Sequence, residues 1–128
     1  MAMMWAVPVF ESLIALGLIN VWLVRFNRST VYRGAEAKNM KEEFVAYGLP
    51  AWSVYVVGFF KLSIALVLIL TVVLPQTMPA ILGTLALGLL VVLMLGAITM
   101  HIKVKDSLIK TLPALCMLLM ITFVLLIA

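Results

Sequence analysis

Cysteine, histidine and charge are all scarce in this chain. Cys116 is the only cysteine and His101 the only histidine among 128 residues. One cysteine excludes an intramolecular disulfide and a CxxC redox motif. One histidine excludes a bis-histidine haem within the chain. A His–Met haem needs a methionine at the depth of His101, and Met117 and Met120 lie deeper. No second His, Cys or carboxylate stands at metal-ligand spacing, so no metal site is expected. There is no glycine-rich phosphate loop and no nucleophile-with-base pattern, so no catalytic centre is identified. Charged residues make up only 11% of the chain, against about 25% in soluble domains. A soluble fold this small lacks the polar surface to cover itself, and a bilayer removes that problem.

What the chain has instead is apolar length: 66% of its residues are hydrophobic. A membrane span needs roughly 20 such residues, because the hydrocarbon layer is about 30 Å thick and a helix rises 1.5 Å per residue. Four stretches qualify, at about 5–24, 52–74, 78–102 and 107–127. None alternates apolar with polar residues, which argues against a barrel. The expected fold is therefore all-α, an integral membrane four-helix bundle forming a single domain over 1–128. No basic residue precedes the first run, Glu11 interrupts it and no A-x-A site follows, so it reads as a retained span and not a signal peptide.

The formal net charge is +4, yet nucleic acid is not the expected partner. The basic residues cluster at the ends of apolar runs, where they set orientation. Arg25, Arg28, Arg33, Lys38 and Lys41 lie in the first connection, and Lys103 and Lys105 in the third. The second connection, PQTMP, carries no charge. The positive-inside rule places both basic loops, 25–51 and 103–106, in the cytoplasm and both termini outside.

The long first loop contains a helical pattern over about 35–47. Ala37, Met40, Phe44 and Tyr47 recur at spacings of three and four, and Glu36, Lys38, Asn39, Glu42 and Glu43 are assigned to the opposite face. Gly48 is the expected stop, and Pro50 suits the first turn of the next span. Such a helix is expected to lie in the membrane interface, as an anchor or as a docking surface.

Lys61 stands about ten residues into the second span. A lysine at a helix centre is unfavourable by about 2.5–3.5 kcal/mol on insertion scales, so its presence points to a role. Gly58, Lys61 and Ala65 share a helix face, and small residues mark helix contact, so Lys61 is expected to face the bundle interior. Glu11 is the acidic residue well within a span and the expected partner. At 1.5 Å per residue Glu11 lies about 9 Å below the outer surface and Lys61 about 20 Å below it. A flexible stem, a water or a ligand would have to bridge the remainder. Two readings stay open: a buried pair that fixes helix register, or an intramembrane ligand site near Glu11 and Lys61.

A second polar group gathers at the cytoplasmic ends. Asn20 and Arg25 close the first span, His101 closes the third, and Asp106 is expected to cap the fourth helix. Glu11, Lys61 and His101 are thus the candidate ligand-binding residues, with Asn20, Arg25 and Asp106 supporting. Thr84, Gly88, Val92 and Gly96 form one row on the third span, expected to serve close packing within the bundle or between protomers.

Over about the last 85 residues the chain resembles the DoxX-like family of small four-helix membrane proteins. The segments GLPAWSVYVVGFFKLSIALVLIL and LGAITMHIKVKDSLIKTLPALCMLLM carry the resemblance, through Gly48-Leu49-Pro50, Gly58 with Lys61, Gly96-Ala97, His101, Asp106 and Pro113. Many members of the family carry an acidic residue where Lys61 stands. The resemblance implies a bacterial inner-membrane bundle acting as an accessory or scaffold subunit, with a quinone-linked redox system as its setting. A small-molecule or quinone binder or transporter is the alternative.

Overall fold

The computed structural model describes residues 5–127. Among the described residues every regular element is helical. Helix α1 (Ala6–Ile19) winds on through a π-helical turn (Asn20–Val24), and α2 (Met40–Ala46) is short. The remaining helices are α3 (Ser53–Val73), α4 (Ala80–Lys103) and α5 (Leu108–Ile127). Helix α1 packs on α3 and α5, and α4 packs on the same two, so the four long helices form an antiparallel ring. Ile14, Leu18, Leu68, Leu90, Ile121 and Val124 fill its centre. Phe59, Leu119 and Leu126 point outward. A helix that is apolar all round belongs in lipid, and all four are long and apolar enough to cross a bilayer. The chain is a multi-pass membrane protein.

Helix ends depart from the expected limits by one or two residues. Helix α3 starts at Ser53, whose N–H and hydroxyl both donate to the carbonyl of Pro50. Pro79 precedes the first residue of α4 in extended conformation, as a residue that cannot donate an N–H allows.

The loop helix departs further, beginning at Met40 and not near 35. Asn39 caps it, its side chain accepting the Glu42 N–H at 2.8 Å. Upstream, Gly34–Glu36 forms a 3-10 turn in which Ala35 and Glu36 have φ of 51° and 63°. That left-handed backbone cannot continue a right-handed helix. At the other end Gly48 has φ of 84°, and Leu49 N–H reaches Phe44 C=O while Gly48 N–H reaches Val45 C=O. This is the Schellman stop, and glycine enters it without strain.

The row Thr84, Gly88, Val92 and Gly96 faces outward, with Val92 and Gly96 also bordering a cavity of the bundle. All four are exposed, Val92 at 63%, and a methyl added at Gly88 or Gly96 meets nothing within 4 Å. Gly83, next to this row, is the glycine of α4 that faces the interior.

The two basic loops meet at one end of the bundle, and the 74–79 turn lies at the other. The Ala35 N–H donates to Asp106 Oδ1 at 2.9 Å, and Lys103 Nζ donates to the Tyr47 carbonyl at 2.8 Å. Beneath this junction Trp22, Met40, Phe44, Tyr47 and Val54 form a second apolar cluster. Helix α2 therefore covers this end of the bundle.

Candidate functional site

Lys61 lies in the bundle interior, only 8% exposed. Its Nζ stands 5.0 Å from the centre of the Trp22 ring. Gly58, one turn earlier on α3, makes this possible: a Cβ there would come within 2.9 Å of the indole. The π-helical turn carries Trp22, and its widened winding, with Arg25 N–H bonded to Asn20 C=O at 2.8 Å, sets where the indole points. Among the described residues no carboxylate lies within 4.0 Å of the Lys61 ammonium and no hydrogen bond holds it, so the Nζ keeps some surface open to its surroundings, and Glu43 attracts it from beyond contact distance. A desolvated cation–π contact returns about 2 kcal/mol, while the desolvation of an ion costs several. The indole alone does not balance the charge.

What Lys61 faces is a cavity of about 320 Å³. It begins under α2 and reaches Lys61, eight residues or about 12 Å along α3 from Ser53. Its apolar walls come from Leu18 on α1, Val21 on the π-helical turn, Val57 on α3, Leu93, Met94 and Ala97 on α4, and Ala114 and Met117 on α5. Met40 and Phe44 of α2 close it from above. Its volume is at the lower end of the roughly 300–1,000 Å³ range of small-molecule sites, and the lining follows their mostly apolar pattern with a few polar groups.

Those polar groups are mutually engaged. Arg33 Nη1 contacts Glu43 Oε2 at 3.0 Å, with both side chains buried. The Arg33 guanidinium also donates to the carbonyls of Arg25 and Arg28, which fixes the loop after α1. Tyr47 Oη donates to Glu43 Oε1 at 2.5 Å. Burial first, and then the Glu43 carboxylate, push the Tyr47 phenol above its ordinary value, so it stays a donor. His101 Nδ1 lies 2.7 Å from Asp106 Oδ2, and the His101 and Tyr47 rings meet edge to face. Gly34 threads between these groups: a Cβ there would be 2.5 Å from Tyr47 Oη and 3.0 Å from Asp106 Oδ2.

Lys61 and His101 thus line one cavity, with Arg25 at its rim. Glu11 does not join them. It is buried near the opposite end, its Oε2 being 3.4 Å from the Thr71 hydroxyl and 3.7 Å from a Cβ built on Gly83. Thr71 is ten residues, about 15 Å, along α3 from Lys61. The antiparallel register of α1 and α3 opposes Glu11 to Thr71, so the Glu11–Lys61 pair is not formed. Asn20 is exposed on the far side of the π-helical turn. Asp106 turns its carboxylate to His101 and the Ala35 N–H, in place of capping α5.

Sequence reasoning missed Trp22, Arg33 and Glu43 as site residues. Glu43 had a readable signal. Met40, Glu43, Phe44 and Tyr47 follow the 3-4 helical spacing, which puts the carboxylate on the buried stripe, where it is 7% exposed. Arg33 and Trp22 had none, since loop conformation and a π-helical turn position them. Among the described residues no three His, Cys, Asp or Glu side chains come together as a metal-ligand set.

The DoxX-like family matches residues 18–124, from the last turn of α1 to near the end of α5. No curated protein and no solved structure matches the chain.

Proposed function

Because this chain belongs to the DoxX-like family, and because its bundle holds a partly open cavity, we propose that it is an intramembrane binding protein for a small amphipathic molecule. One observation carries this reading: the side chain of buried Lys61, whose ammonium has no hydrogen bond or ion pair among the described residues, faces a 320 Å³ apolar space. An unmatched ion in a low-dielectric interior is an unfavourable arrangement that a bound polar group relieves. Lys61 anchors the polar end of the ligand, and Leu93, Met94, Ala97 and Met117 receive its apolar part. Glu43, Tyr47 and His101 border the cavity under the loop, and the flexible methionines let the walls adapt. The membrane is the inner membrane of a bacterium, with both basic loops in the cytoplasm, so the ligand is held in the inner leaflet half.

An accessory subunit of a quinone-linked redox system is the second reading. The observation that favours it is the outward row Thr84, Gly88, Val92 and Gly96, where a helix of another membrane protein finds room for close approach.

Ala97→Phe tests the binding reading without touching a charge. The added ring fills the cavity, so native mass spectrometry of the detergent-released protein should show a small-molecule adduct on wild type and none on the variant. Equal adducts on both would place the bound molecule elsewhere and remove the reading.

A further inference from the structure

The charge inventory of the cavity narrows the ligand. We infer that it is a monoanion: one carboxylate on a slim apolar body, with the carboxylate against Lys61 Nζ and the body between α1, α4 and α5. This rests on the binding reading above and goes beyond it in naming the ligand's chemistry.

Glu43 is the single carboxylate among the residues lining the cavity, and it already accepts from Arg33 and Tyr47. Arg33 is matched by Glu43 and by two backbone carbonyls. His101 is held by Asp106, and Lys110 lies 3.8 Å from the same carboxylate. Arg25 is exposed at the rim. Among the described residues Lys61 is then the one interior cation with no carboxylate in contact, Glu43 attracting it only from beyond salt-bridge distance while paired with Arg33. A single negative charge completes the balance and forms charge-assisted hydrogen bonds to the ammonium. A second negative charge would have no buried cation to meet, since the guanidinium of Arg25 stands exposed at the rim. A cationic head would face like charge, and a neutral head such as a quinone or an alcohol would accept a hydrogen bond while leaving the charge unmatched. The volume sets the size. At 320 Å³ the cavity lies at the lower end of small-molecule sites, which suits a short ligand. Octanoate is a short monoanion of this kind.

The experiment uses the full chain in bilayer discs of zwitterionic lipid. Trp5 and Trp52, both exposed, are replaced by Phe, so Trp22 beneath Lys61 reports occupancy. Octanoate, 1-octanol, octylammonium, octyl phosphate and a short-chain quinone are titrated in turn. The expected result is a saturable change with octanoate, at least tenfold weaker binding of every other probe, and loss of the octanoate preference in Lys61→Met. Lys61→Arg should keep it. Octanol, quinone or octyl phosphate binding as tightly as octanoate to wild type would overturn the monoanion and leave the binding reading standing. No saturable response to any probe would overturn both. The wild-type comparison decides even where Lys61→Met fails to fold.

Discussion

Arg33→Met is expected to destabilise the folded bundle by about 3–5 kcal/mol, the range for removing one partner of a buried ion pair. The substitution leaves the Glu43 carboxylate 7% exposed with Tyr47 as its remaining side-chain partner. It also releases the carbonyls of Arg25 and Arg28, which the guanidinium ties together. Unfolding in mixed micelles of rising SDS fraction measures the change. The double variant Arg33→Met with Glu43→Gln should recover a substantial part of the loss, because the amide needs no counter-ion. If the double variant is as unstable as the sum of the two single changes, the pair is not the source of the effect.

Gly34→Ala is expected to act through crowding. The new methyl would stand 2.5 Å from Tyr47 Oη, 2.9 Å from its ring and 3.0 Å from Asp106 Oδ2. None of these is the far end of a flexible chain. The ring must leave Glu43, and the Asp106 carboxylate must shift from His101. Overpacking of this kind costs about 1–3 kcal/mol, and here it also loosens α2 over the cavity. Weaker ligand retention should therefore accompany the stability loss. In a Tyr47→Leu background the same alanine should cost much less. An equal cost in both backgrounds would mean that the Tyr47 contact does not explain the strain.

The spans were readable because hydropathy over 20 residues depends on composition and not on partners. The inward direction of Lys61 was readable too: Gly58 and Ala65 mark a contact face, and both lie in the interior. Depth was harder to read. Counting residues from uncertain span ends left a gap between Glu11 and Lys61, and the register that opposes Glu11 to Thr71 is set by side-chain packing along α1 and α3. Asp106 illustrates a different limit. Its position before α5 is that of a cap, yet a backbone N–H brought from 71 residues away and the His101 ring take its oxygens. Glycine spacing on α4 gave a face for close packing but not its neighbour, which the fold leaves to the surroundings.

The account depends on helices, not acyl chains, surrounding the Trp22–Lys61 contact. Brominated phospholipids quench a tryptophan that touches acyl chains, so the chain with Trp5 and Trp52 replaced by Phe, leaving Trp22 alone, measures this directly. In vesicles of such lipids Trp22 should be quenched only weakly, far less than tryptophan octyl ester in the same vesicles. Quenching equal to that of the ester would put the indole, and the ammonium above it, among the lipid tails and contradict the account.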